Sequence, residues 1–376
     1  MYISTHEELV RFCERAAPHK VLAVDTEFLR ERTFRPKLCL IQVATEDDVA
    51  AVDPLLIDDL SPLARLLEDS TITKVFHACD QDLEVIYEGM GCVAAPVFDT
   101  QLAAAFLGHR MQIGYGALVS AYDGVHLDKA DGLTDWSKRP LDDSQLRYAE
   151  EDVLYLPGIY RRMMRELVER DRLSWLEPEL AALSDPSRLR KDPRQAFQHL
   201  KRSSSLTRRQ LAIAREVCAW REEVAARRDL PRKWVLSDEV IVEICRRAPR
   251  SVDRMRRIRG TDHIAANDAS QVVRAVQQGL ACDPMDYPVV RHRPRTSPEA
   301  DSVADLMYAM LRLRSERSGV AIPLIATRDD LHDLMSGERG CPLRSGWRYE
   351  IVGRDLERLL AGEVGLTVKD GRIETL

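Results

Sequence analysis

No run of 18 apolar residues occurs in this sequence, and its opening, MYISTHEELV, lacks the charged-then-apolar pattern of a secretory leader. A membrane-spanning or exported protein is therefore not expected, and a cytoplasmic one is. The eight cysteines (Cys13, Cys39, Cys79, Cys92, Cys218, Cys245, Cys282 and Cys341) form no CxxC pair, and most sit inside apolar runs. That argues against both a zinc site and a disulfide framework. The G-x-x-x-x-G-K-[ST] phosphate loop is also missing, and no lysine follows a glycine anywhere, which excludes a nucleotide-driven helicase.

What is present is a 376-residue chain, 45% hydrophobic, long enough for two or three domains with cores of their own. Its net charge of −6 conceals an asymmetry. Residues 1–184 hold 19 basic and 33 acidic side chains, residues 185–259 hold 21 and 10, and residues 260–376 hold 15 and 18. The basic middle block has the electrostatic footprint of a polyanion-binding surface, against the plainer reading of a solvated, Arg-rich helical face.

Over the first 180 residues short apolar strands alternate with amphipathic helices, the pattern of an α/β domain. Strands are expected at 21–25, 38–45, 49–53, 73–78 and 96–98, and helices at 5–15, 61–69, 80–89, 99–107, 114–122 and 142–171. Thr5, Ser61 and Asp99 are plausible N-caps. Because only Glu46, Asp47 and Asp48 separate the second and third strands, these two form an antiparallel hairpin and the sheet is mixed. A Pro-, Ser- and Arg-rich stretch at 184–205 marks a domain boundary, and a Pro-rich stretch at 283–298 marks a second. The expected domains are 1–184, 206–282 and 299–376, the last two all-helical. A weak internal repeat pairs Arg221, Glu223, Pro231 and Ser237 with Arg314, Glu316, Pro323 and Thr327.

Three acidic motifs carry the chemistry. In VLAVDTEF, Asp25 and Glu27 are two apart on a strand and share a face; such close like charges need a proton or a cation between them. In KVFHACDQDLEV, Asp80 is the better N-cap by position, while Asp82 could project from the first turn toward the sheet edge. In DDSQLRYAEEDVLYL, Tyr148 and Asp152 lie one turn apart on one helix face, beside an apolar stripe of Leu146, Val153, Leu154 and Leu156. Each motif alone also reads as ordinary: an exposed strand end, a helix-start acid, a core-edge tyrosine with a surface acid. Together they fit phosphodiester cleavage, which needs an activated water and a stabilised leaving oxygen. Two divalent cations held by carboxylates supply both.

The order DxE, strand-to-helix acid, then Y-x-x-x-D resembles the DEDD exonuclease superfamily in its tyrosine branch. VDTEF, PKLCLIQVA, HACDQDLEV, FDTQLAAAFLG, TDWSKRPL and YAEEDVLYL, in that order over residues 20–160, are similar to the motifs of the ribonuclease D family. The resemblance implies a ribonuclease H-like mixed-sheet exonuclease domain followed by two HRDC-like helical domains. It implies that Asp25, Glu27, Asp82 and Asp152 hold two divalent cations, Mg²⁺ or Mn²⁺, and that Tyr148 orients the attacking water. It selects Asp82 over Asp80. Arg147 occupies the place where the sister branch has histidine. The implied reaction is 3′-to-5′ removal of nucleotides from single-stranded RNA, tRNA precursors above all, with release of 5′-monophosphates. A single-strand DNA exonuclease, or a silent nucleic-acid-binding module, is the alternative. Arg209, Arg227, Arg228, Arg232 and Lys233 are candidate contacts to the substrate backbone. Trp234 beside them reads first as a core residue and second as a base-stacking one. No protein partner is indicated, and a monomer is expected.

Overall fold

The computed structural model describes residues 1–127, 134–288 and 297–376. Residues 289–296 of the second Pro-rich stretch lie outside the described residues. The chain divides into two compact units, the first made of Met1–Glu27, Leu38–Asp185 and Arg295–Leu376, the second of Phe28–Lys37 and Pro186–Pro294.

In the first unit the elements run β1 (Tyr2–Ile3), α1 (His6–Ala16), β2 (Val21–Leu29), β3 (Lys37–Ala44), β4 (Val49–Val52), α2 (Ser61–Glu68), β5 (Thr73–Phe76), α3 (Asp80–Met90) and β6 (Val97–Asp99). Helices α4 (Thr100–Phe106), α5 (Tyr115–Asp123), α6 (Asp143–Leu154), α7 (Leu156–Glu169) and α8 (Leu173–Leu183) follow. The six strands form one sheet in the order β1-β4-β3-β2-β5-β6. The expected hairpin is β3–β4, antiparallel with Gln42 opposite Ala51, while β2–β5 and β5–β6 are parallel, so the sheet is mixed. Strand β1 escaped the sequence reading because two residues carry no periodicity; it pairs in parallel with β4.

Local signals account for most boundaries. Thr5 caps α1 in a capping box with Glu8, and Asp99 caps α4 by accepting the Gln101 and Leu102 N–H groups. Ser61 is instead the first residue of α2, whose N-cap is Leu60. The helix expected over 142–171 is two, broken at Tyr155, because Pro157 sits in the first turn of α7 and cannot donate to a continuing helix. Leu154, read as part of the apolar stripe, ends up 46% exposed at that break.

The second unit is helical: α9 (Pro186–Leu189), α10 (Arg208–Arg228), α11 (Arg232–Val235), α12 (Asp238–Arg247), α13 (Val252–Arg256) and α14 (Ala266–Ala281). Helix α14 packs so closely on α10 that a Cβ at Gly279 would lie 2.5 Å from the Ile213 Cα. The segment Phe28–Lys37 is tied into this unit: Asp229 accepts the Phe34 and Arg35 N–H groups at 3.1 Å, and the Arg232 guanidinium stacks 4.5 Å from the Phe34 ring centroid.

The remaining helices are α15 (Pro298–Ser318), α16 (Ile322–Ile325), α17 (Arg328–Met335), α18 (Gly346–Arg348) and α19 (Arg354–Leu360), ending in the ribbon β7 (Leu366–Lys369)–β8 (Arg372–Thr375). They repeat the start of the second unit with a constant 90-residue offset: Arg208 to Pro298, Arg228 to Ser318, Arg232 to Ile322 and cap Ser237 to cap Thr327. That register pairs Arg221 with Leu311 and Pro231 with Ala321, so the sequence pairing with Arg314 and Pro323 is displaced by two or three residues. Unlike its counterpart, this segment shares the core of the first unit, with Met307, Met310, Leu331 and Trp347 in one buried cluster with Phe106, Leu167 and Leu176. Trp347 meets Phe106 edge-on at 5.1 Å and donates its indole N–H to Glu179, which also pairs with Arg348 at 2.6 Å.

Candidate active site

Strand β5 stops at Phe76 while its parallel neighbour β2 continues to Leu29, so the end of β2 runs on beyond β5. Asp25 and Glu27 stand on that extension, on one face, following the buried run Val21–Val24. The chain leaving β5 turns through His77–Cys79, with Ala78 in the left-handed region at φ 63°. The buried Asp99 carboxylate holds the turn by accepting the Ala78 and Cys79 N–H groups at 3.2 and 2.9 Å.

This turn aims the start of α3. Asp80 is the first helical residue and is exposed; the N-cap position belongs to Cys79, which makes no side-chain cap bond. Asp82 is 7% exposed and accepts the Thr26 hydroxyl at 2.5 Å, between the two β2 carboxylates in sequence. From α6, packed on β4, come Asp152 and Tyr148, one helical turn apart, with the Tyr148 phenol near enough to feel the Asp152 charge. One oxygen from each of Asp25, Glu27 and Asp152 lies within 4.8 Å of the others, an acidic group able to hold a metal ion. Arg147 is exposed on the same helix.

The electrostatics of the cluster follow from burial and like charge. Burial, then the charges of Asp82, Asp152 and Glu27, pushes the Asp25 carboxyl well above the usual range. Burial, then Asp152 and Asp82, raises Glu27 to about 8. Burial raises Asp152 to about 7, and raises Asp82 to about 6 against the Thr26 hydrogen bond. Burial and the neighbouring acids also push the Tyr148 phenol up, so its hydroxyl stays protonated. The side-chain charges that act on Asp25 and Glu27 are all negative. Hard oxygen donors with uncompensated charge fit divalent cations.

Thr26, His77, Asp99 and Tyr115 also build the site; residue patterns gave Asp99 only its helix-cap role and the other three none. His77 contacts Thr100 Oγ1 and the Ile113 carbonyl, both at 2.9 Å, and Tyr115 donates to the Glu151 carbonyl at 2.8 Å, binding α5 to α6. Thr26, His77 and Asp99 fall inside the quoted motifs, whereas Tyr115 does not; the partners of all four are set by tertiary structure.

In the second unit, Arg209, Arg227 and Lys233 are exposed. Arg228 forms a two-pronged pair with Asp268 at 2.7 Å, and Arg232 bonds both Glu222 oxygens at 2.8 and 2.7 Å. Trp234 is 52% exposed, which overturns its reading as a core residue.

Residues 1–168 match the 3′-5′ exonuclease family and residues 210–269 the HRDC domain. A ribonuclease D of Jannaschia sp. (strain CCS1) is 40% identical over 383 residues, covering 99% of this chain and 98% of that protein. The chain belongs to the ribonuclease D family. The ribonuclease D of Sphingobium indicum is likewise 40% identical, over 379 residues, with 99% and 97% coverage. The crystal structure of Escherichia coli RNase D, described as an exoribonuclease involved in structured RNA processing, superposes with a TM-score of 0.83 at 30% identity, covering 96% of this chain and 98% of that one. The ribonuclease D fold thus comprises the mixed-sheet exonuclease domain followed by the helical HRDC domain. No helix of the described residues is long and apolar enough to cross a membrane.

Proposed function

We propose that this ribonuclease D family member removes 3′-terminal nucleotides from single-stranded RNA, tRNA precursors among them, releasing 5′-monophosphates. The observation that carries the reading is the convergence of Asp25, Glu27 and Asp152 within 4.8 Å, flanked by Asp82 and Tyr148. The four carboxylates would hold two divalent cations, Mg²⁺ or Mn²⁺, which when bound supply an activated water and stabilise the leaving 3′ oxygen. Tyr148, kept neutral, has its oxygen lone pairs available to accept a hydrogen bond from the attacking water and aim it at the terminal phosphorus. Thr26 and Asp99 fix Asp82 and the α3 start, so the acids are preorganised.

Exposed Arg209, Arg227 and Lys233 of the basic helical unit grip the substrate backbone, and exposed Trp234 stacks on a base. The segment 299–376 is a second HRDC-like module, as its 90-residue offset supports. The protein works as a cytoplasmic monomer. The test is digestion of 5′- and 3′-end-labelled single-stranded RNA and DNA with Mg²⁺ or with EDTA. Stepwise shortening from the 3′ end, abolished by EDTA and faster on RNA, is expected; internal cuts or EDTA-resistant activity would refute the reading.

A further inference from the structure

The loop that leads into α6 is held down by one side chain. Arg139 spends all five guanidinium donors there: Nε and Nη2 bind the Asp53 carboxylate, Nη2 also reaches the Cys39 carbonyl at 2.7 Å, and Nη1 binds the Trp136 and Lys138 carbonyls at 2.7 and 2.8 Å. Asp53 follows the last residue of β4, is fully buried, and also accepts the Tyr2 hydroxyl and the Leu55 N–H. One guanidinium therefore ties the loop to β3 and to the end of β4 at once.

What the loop carries is the wall behind Tyr148. Trp136 is 2% exposed and its ring lies 6.1 Å from the Tyr148 ring, tilted by 36°. Thr134, two residues earlier, accepts the Gln145 amide at 3.1 Å, and Asp142 starts α6 through a capping box with the same Gln145. Neither Arg139 nor Asp53 belongs to the carboxylate cluster.

We infer that Arg139, anchored on Asp53, is a positioning residue that sets the Trp136 ring and through it the Tyr148 hydroxyl against the carboxylate cluster. This rests on the exonuclease reading above. Lysine at position 139 would keep the charge but offers three donors without the planar fork, so it cannot hold Asp53, Cys39, Trp136 and Lys138 together. A displacement of about 1 Å at a catalytic group costs on the order of 100-fold in rate.

The experiment compares full-length wild type, Arg139→Lys, Trp136→Leu and Tyr2→Phe on a single-stranded RNA oligomer at saturating Mg²⁺, with the urea midpoint measured for each. Arg139→Lys and Trp136→Leu are expected to lower kcat by about 10- to 100-fold while KM stays within about twofold. Tyr2→Phe, which removes a different bond from Asp53, should lower the urea midpoint and leave kcat within about twofold. Wild-type kcat in Arg139→Lys, or an equal kcat loss in Tyr2→Phe, would overturn the inference and reduce the clamp to general stability. If Arg139→Lys fails to fold, Trp136→Leu carries the test alone, and unchanged kcat there overturns the inference. Wild type that leaves RNA intact would instead defeat the exonuclease reading itself.

Discussion

Tyr148 stands one helical turn before Asp152, whose charge is the foremost of the neighbouring acids that, after burial, keep its phenol protonated. A neutral phenol keeps its oxygen available as an acceptor at the edge of the acidic cluster. Tyr148→Phe removes the acceptor and little volume, so kcat should fall by roughly 100-fold or more with KM nearly unchanged, in steady-state trimming of a labelled RNA oligomer.

The raised carboxyls make a stability prediction. Glu27 moves from its ordinary 4.5 to about 8 in the fold, so between those values the folded protein holds a proton the unfolded chain has released. Folding stability of the metal-free protein must then fall as pH rises through that window, since the native state binds the extra proton. Thermal melts in EDTA from pH 5 to 8 should show the decline, Glu27→Gln should make it shallower, and added Mg²⁺ should raise the melting temperature more at pH 8 than at pH 5.

Asp82 and Asp80 lie in the same helical turn, and one of them is buried against Thr26. Asp82→Asn should lower turnover by roughly 100-fold or more while RNA binding, read by filter retention, persists. Asp80→Asn should leave turnover within about twofold; the opposite ranking would assign the site to the wrong acid.

Salt dependence separates exposed cations from paired ones. Each backbone contact to a single strand contributes about 0.7 to the slope of log affinity against log salt. Replacing Arg209, Arg227 and Lys233 with glutamine should lower the slope by up to about 2. Arg228→Ala should mainly lower the melting temperature, because it strands the buried Asp268 carboxylate.

Trp347 is buried in the core that the C-terminal helices share with α4, α7 and α8. Trp347→Ala should destabilise the first unit by about 3–5 kcal/mol in urea titrations, with exonuclease activity lost in the same transition. An activity that melts unchanged would show that the C-terminal helices fold separately.

What the sequence disclosed follows the range of each interaction. Asp25 with Glu27, and Tyr148 with Asp152, are visible because strand and helix periodicity put such pairs on one face. Asp82 could not be told from Asp80 without the family resemblance, since the distinction lies in Thr26, 56 residues away along the chain. Asp268, 40 residues from Arg228, and the exposure of Trp234 are equally non-local. The Arg139 clamp spans 100 residues to Cys39, and no local pattern announces it.

The two units are also interleaved along the chain: Phe28–Lys37 belongs to the helical unit, and the segment from Arg295 on belongs to the catalytic one. During synthesis, at roughly 5–20 residues per second, the nascent catalytic half must wait through the whole helical stretch before its core can close. For those seconds the face meant for α15 is bare, a timed vulnerability to aggregation that a shuffled domain order would remove.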